Sequence, residues 1–173
     1  MEIFDLYDVN RIKTGETMVR GTDVPENRYR IVVHIVVFNS EGKMLIQQRV
    51  GTRNSHPNKW DLSVGGSVVS GESSSLGAER ELYEELGLDV KLEGRQSNFS
   101  INFEKGFNDF YIIDYDIDAK DVKFQKEEVQ AVKWAEKQEI LELIKAGKFI
   151  NYREDLIELI FSFRDKRYGA FAK

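Results

Sequence analysis

Glu81, Glu84 and Glu85 are the side chains in this sequence best placed to do chemistry together. They lie in the segment Arg80-Glu81-Leu82-Tyr83-Glu84-Glu85-Leu86-Gly87-Leu88. At about 3.6 residues per turn, a helix gathers the three carboxylates within an arc of about 100°. Leu82 and Leu86 then occupy another face, suited to packing on a sheet. Like charges at these spacings repel by roughly a few tenths of a kcal/mol per pair, so a cation should compensate them. Arg80 is one candidate and a divalent metal is the other. A solvated acidic face is the competing reading, and Glu79 complicates both, because helical geometry turns it toward the apolar side. A glycine-rich loop, Gly65-Gly66 through Gly71-Glu72, runs directly into the segment. Glycine lets backbone carbonyls come close to a ligand or an ion, which favours a site.

These residues need a scaffold. Ser73 or Ser74 can cap the helix, which should run to Leu86 with Gly87 as its stop. Arg30 to Phe38 (RIVVHIVVF) is rich in β-branched residues and reads as a buried strand. Asn39-Ser40-Glu41-Gly42 supplies a turn, and Lys43 to Val50 is expected to return as its antiparallel partner. Trp60 to Val69 resumes extended character after the polar loop Gly51 to Lys59. Further strands are expected near Asn98 to Phe103, Phe110 to Ile117 and Val129 to Trp134. Ile140, Leu141, Leu143 and Ile144 recur at helical spacing before Gly147, and Leu156, Ile157, Ile160 and Phe161 do so later. Asn151 and Glu154 resemble a capping box for that last helix. The first segment, about 1–27, suggests a small hairpin with Gly15 and Gly21 as turn residues. Strands mixed with a few helices, without regular alternation, indicate an α+β domain.

With 173 residues the chain fits a single domain, 1–173, carrying the hairpin as an N-terminal extension. No apolar run is long enough to cross a bilayer, so no membrane partner is expected. The start, with Glu2 and Asp5, lacks the basic-then-apolar order of a signal peptide, and a cytoplasmic location is the expectation. Absence of cysteine excludes disulfides, thiolate zinc sites and thiol nucleophiles. A net charge of −5 argues against a nucleic-acid polymer as the partner. A phosphorylated small molecule can still bind if a metal cation mediates the contact.

The stretch Gly66 to Leu88 (GSVVSGESSSLGAERELYEELGL) resembles the Nudix hydrolase signature, G-x5-E-x7-R-E-U-x-E-E-x-G-U, at every specified position. The matching residues are Gly66, Glu72, Arg80, Glu81, Leu82, Glu84, Glu85, Gly87 and Leu88. The resemblance implies a Nudix-like α/β/α sandwich with a mixed central sheet. It also implies that Glu81, Glu84 and Glu85 hold one to three Mg²⁺ ions, with Mn²⁺ as the alternative and the Gly65 carbonyl as a further ligand. Mg²⁺ is a hard ion that takes oxygen ligands and can bridge carboxylates to a diphosphate. The implied reaction is hydrolysis of a phosphoanhydride in a small-molecule diphosphate by in-line attack of water. Glu72 and Arg80 are expected to brace the loop against the helix, supported by Gly66 and Gly87. The general base stays open between Glu84 and a loop residue, Glu127 or Glu128, with Glu128 ahead.

Glu2 to Gly21, VVHIVVFNSEGKMLIQQR and NKWDLSVGGSVVSGES are more loosely similar to the branch related to isopentenyl-diphosphate isomerases. Relatives with isomerase activity use a catalytic cysteine near the segment matching Asp61 to Gly66, and this chain has none. Hydrolysis is therefore preferred over isomerisation, and over a non-catalytic ligand sensor, for which a full carboxylate set is unnecessary. Arg49 and Lys59 are expected to hold phosphate oxygens, with Arg53 and Gln48 flanking them. His34 reads as a core histidine, and His56 as either a turn residue or a substrate contact. Trp60 and Trp134 could stack on a base, but buried aromatics are usually core. A homodimer is compatible with the resemblance, with the hairpin at its interface.

Overall fold

The computed structural model describes residues 2–53 and 55–165. In chain order the elements are β1 (Ile3–Tyr7), β2 (Lys13–Val19), β3 (Arg30–Phe38), β4 (Met44–Arg49), β5 (Trp60–Asp61), β6 (Val64–Ser67), α1 (Ser74–Leu86), β7 (Phe99–Phe103), β8 (Gly106–Asp114), β9 (Val129–Ala135), α2 (Lys137–Lys145) and α3 (Glu154–Asp165).

β3 organises the sheet because both its faces are apolar. Val33, Ile35 and Val37 point to one side and pack with Leu82, Leu86 and Tyr111 under α1. Val36 and Phe38 point to the other and pack with Phe110, Ile140, Ile157 and Ile160 under α2 and α3. The result is the expected α/β/α sandwich. Its central sheet is mixed: β3 pairs in parallel with β8, from Arg30↔Gly106 to Phe38↔Asp114, and antiparallel with β6, from Val32↔Ser67 to Ile35↔Val64. The path runs β5-β4-β3-β8-β7, with β6 on β3 and β9 on β4.

Several expected details change. β4 meets β3 at Phe38↔Met44, and its long partner is β9, from Met44↔Ala135 to Arg49↔Val129. The two strands splay because β6 occupies the flank of β3 that a simple hairpin would fill. The segment from Trp60 to Val69 breaks into β5 and β6. β8 starts at Gly106, earlier than expected, because a side chain there would strike the Arg30 carbonyl and only glycine permits the close turn out of β7. Helix α3 begins at Glu154 itself, so Asn151 and Glu154 do not stand as cap and third helical residue.

The N-terminal hairpin is present, but Gly15 is not at its turn. It lies within β2 at φ 82°, where the register shifts between Asp5 and Tyr7. The turn is built by Asp8, whose Oδ1 accepts from the N–H groups of Asn10 at 2.9 Å and Ile12 at 2.8 Å. Two carboxylates then clamp the hairpin to the loop and helix that carry the glutamates. Asp5 accepts from Ser70 Oγ at 2.6 Å, Gly71 N–H at 3.0 Å and Lys13 Nζ at 2.6 Å. Asp109, fully buried on β8, accepts from Arg11 Nη1 at 2.9 Å and from Ser74 and Ser100 hydroxyls.

Burial works against the Asp5 carboxylate, but Lys13, Ser70 and Gly71 outweigh it and hold its pKa down at about 2. A carboxylate depressed in this way stabilises the fold above its unfolded value near 3.8, and that stability is lost as pH falls toward 2. Asp5→Asn is expected to cost about 2 kcal/mol at pH 7 and to flatten the stability curve between pH about 4 and 2. Thermal unfolding of both proteins across that range checks it; parallel curves would contradict the clamp.

Candidate active site

Helix α1 is the frame of the site. Ser73 caps it, with Oγ accepting from Leu76 N–H at 3.2 Å. Gly87 ends it in the left-handed region at φ 66°, with its N–H on Tyr83 O at 2.8 Å. A side chain at Gly87 would also press on the Lys123 carbonyl. Leu82 and Leu86 anchor the helix in the core, and the opposite face turns Glu81, Glu84 and Glu85 into a cleft of about 730 Å³. Their environments differ sharply. The Glu81 side chain is 15% exposed, that of Glu84 51%, and Glu85 is buried.

Arg80 ties these parts together. Nε donates to Glu72 Oε1 at 2.8 Å and Nη2 to Glu72 Oε2 at 3.1 Å, a two-pronged pairing. Nη2 also reaches Ser67 O at 2.9 Å, while Nη1 contacts Glu81 Oε1 at 2.9 Å and Glu84 Oε2 at 3.0 Å. Glu72 in turn accepts from Val69 N–H at 3.2 Å, which closes the loop. One guanidinium thus fixes strand β6, the glycine loop and two glutamates. Gly66 is required by the same packing, because a Cβ there would overlap the Glu81 carboxylate.

Glu85 is held apart, by Gln47 Nε2 at 2.8 Å. Burial pushes its pKa up to about 8, Gln47 opposes the shift, and Glu81, Glu128 and Asp61 add to it. Glu81 is raised as well, by burial against the pull of Arg80. Both carboxylates are poised for a nearby positive charge. Among the described residues no three acidic or histidine side chains close on a single point. The donor chemistry nevertheless fits a hard divalent cation: oxygen ligands only, a Gly65-Gly66 backbone without side chains, and Gln47 Oε1 buried without a partner.

The facing wall comes from distant parts of the chain. Glu128 pairs with Arg53 at 2.6 Å, and its loop is tied to α1 through Gln125 N–H on Glu85 O at 3.0 Å. Glu127 is exposed and is not among the cleft-lining residues. Arg49 lines the cleft, bonded to Ser55 O and Oγ at 3.1 Å each and to Asp61 at 3.4 Å. Lys59 and Gln48 do not line it, and Gln48 instead donates to Asn58 O at 2.9 Å. His56 does line it, in the left-handed region at φ 51°. His34 is held by Asn108 at 3.1 Å and stacked on Phe110, yet its edge reaches the cleft. Trp60 and Trp134 belong to the two cores, Trp134 with its Nε1–H on Ile117 O at 3.0 Å. Glu79 also has an assigned place: its carboxylate accepts the N–H groups of Leu92 and Glu93 and secures the chain after α1.

Sequence reasoning missed Gln47, Asp61 and Tyr152. Gln47 and Gln48 are adjacent, and only the strand's facing separates them. Asp61 is buried and accepts from Tyr152 OH at 2.9 Å and Leu62 N–H at 2.8 Å. Tyr152 comes from the connection before α3, a partner 91 residues away that no local pattern reveals.

Gly66→Ala is expected to displace Glu81 and cut turnover on the order of 100-fold with the fold retained. Kinetics beside circular dichroism check this, and undiminished turnover would contradict the close packing of Gly66 on Glu81.

A NUDIX domain family model matches residues 28–156. A Nudix hydrolase of Listeria monocytogenes is 41% identical over 152 residues, covering 88% of this chain and 90% of its own. A crystal structure from Deinococcus radiodurans superposes with a TM-score of 0.73 at 27% identity, covering 92% of this chain and 97% of that one. A weaker likeness, 28% over 90 residues, links 52% of this chain to 46% of an isopentenyl-diphosphate Delta-isomerase of Streptomyces coelicolor. With the family model matching most of the chain and these relatives alongside, the chain belongs to the Nudix family, as a hydrolase acting on phosphoanhydride bonds.

Proposed function

We propose that the chain is a Mg²⁺-dependent hydrolase, with Mn²⁺ able to substitute, that cleaves the diphosphate linkage of a small molecule, a nucleotide derivative first among the candidates. The observation that carries this reading is the placement of Glu81, Glu84 and Glu85 on one wall of a cleft, braced by Arg80 and Glu72, with the Gly65-Gly66 backbone between. Glu81, Glu84, Glu85 and the Gly65 carbonyl would hold the metal. A cation held there would supply neutralisation of diphosphate charge and a lowered pKa for water.

The protein's own groups do the rest. Arg49 and Arg53 line the same cleft as the glutamates, where guanidinium forks can orient phosphate oxygens. Glu128 lines the same cleft and accepts the proton from attacking water, with Arg53 holding its carboxylate in place. Glu84, the most exposed of the three glutamates, is the other candidate for that role. The isomerase reading lacks its thiol, since the chain has no cysteine.

The same proposal takes 1–173 as one domain acting in the cytoplasm. Residue 1 and residues 166–173 lie outside the described residues. No helix among the described residues is long and apolar enough to cross a membrane. Val9 and Ile12 at the hairpin tip are exposed apolar groups that a homodimer contact there would cover.

A panel of nucleoside, nucleotide-sugar and isoprenoid diphosphates with Mg²⁺ tests the activity. Phosphate or monophosphate release from at least one is expected, falling by about 10²–10⁴-fold in Glu84→Gln. Unchanged turnover in that variant would sink the assigned site. Glu128→Gln separates the two candidate bases, since only a true base lowers kcat with little change in KM.

A further inference from the structure

The N-terminal hairpin meets the cleft along a wall shared with a second cavity. Arg20, Arg30 and Ser67 face both. Ser67 follows Gly66 directly, and it joins two arginines: its carbonyl accepts from Arg80 Nη2 at 2.9 Å and its hydroxyl from Arg30 Nη1 at 2.8 Å. The second cavity therefore begins one residue from the glutamate site, on the far side of Ser67.

Arg30 differs from the other arginines of the cleft in its counter-charge. Arg53, Arg49 and Arg20 each pair with a carboxylate. Arg30 is half-buried at the start of β3, and its contacts are a hydroxyl and the Phe4 ring, 5.9 Å from the guanidinium. Among the described residues no Asp or Glu pairs with it. Burial, with Arg20 adding to it, works against its charged form. Arginine stays ionised even so, which leaves positive charge facing the cavity without its own anion. Lys105 faces the same cavity, and Asp23 is the one carboxylate among its described lining residues.

We propose that Arg30, assisted by Arg20 and Lys105, forms a subsite for a phosphoryl group of the substrate other than the linkage held at the glutamate wall. The inference rests on the diphosphate reading above and extends it. The substrate carries an additional phosphate, either contiguous in a polyphosphate chain or elsewhere on the molecule. A guanidinium fork binds a phosphate through two parallel hydrogen bonds, and the Ser67 hydroxyl holds the fork in place. The Phe4 ring supports the guanidinium plane from below.

Binding of inorganic tripolyphosphate to the full chain, measured by calorimetry without added divalent cation, tests the subsite apart from any turnover. Arg30→Gln is expected to weaken binding at least about tenfold and Arg30→Lys several-fold, while Lys91→Gln leaves it unchanged. Arg30→Lys keeps the charge, so it carries the test should Arg30→Gln fail to fold. Equal affinity across wild type and the Arg30 variants, or no binding by wild type, would overturn the proposal. Absence of hydrolysis across the diphosphate panel would instead defeat the catalytic reading and leave the binding result standing.

Discussion

The Arg80 guanidinium is the interaction on which the site depends. Four carboxylates, Glu72, Glu81, Glu84 and Glu85, lie within one loop-helix unit, and left alone they would drive it apart. Burial works against the charged guanidinium, but Glu72 and Glu81 more than offset it and raise its pKa further above its already high value. A half-buried ion pair of this kind gains from low dielectric and good geometry, and losing one partner strands the others. Glu85 sits beyond its reach and is buried. It is the carboxylate with the greatest electrostatic need for another cation.

The rest of the fold serves that arrangement. Antiparallel pairing of β6 with β3 places Gly66 against Glu81, so the strand's missing side chain becomes room for a carboxylate. Asp5 and Asp109 hold the loop and the first turn of α1 from the hairpin side. The Gln125–Glu128 turn is hung from the last turn of the same helix, so Glu128 and Glu85 line one cleft. The helix is fixed at its start, its end and its acidic face, while Leu82 and Leu86 secure the remaining side. Catalysis by positioning demands this, because misplacement by about 1 Å can cost on the order of 100-fold in rate.

Helical spacing gathered Glu81, Glu84 and Glu85 in the sequence, and the resemblance of Gly66 to Leu88 to the Nudix signature supplied the roles expected of Arg80, Glu72, Gly66 and Gly87. Apolar runs and amphipathic helices indicated an α+β domain, and the α/β/α layering came with the resemblance to the Nudix signature. What escaped was whatever depends on pairing between distant segments. The β4–β9 partnership, the choice of Gln47 over Gln48 and the burial of Asp61 by Tyr152 are decided by sheet order. Glu79 looked misplaced because the groups it satisfies, the N–H donors of Leu92 and Glu93, belong to a chain reversal that helical geometry alone does not specify. Arg30 reads simply as the first residue of a strand until the hairpin closes over it.

The central claim is that Arg80 orders the glutamates into a metal site, rather than merely neutralising them. Mn²⁺ titration of wild type and Arg80→Met, followed by electron paramagnetic resonance, separates these two roles. Removing a positive charge beside a cation site should tighten Mn²⁺ binding if neutralisation were all that Arg80 did. Loss of positioning should weaken it by roughly 10–100-fold, the usual effect of removing a group that orients metal ligands. Weaker binding is the expected result; equal or tighter binding in a folded Arg80→Met protein would contradict the account.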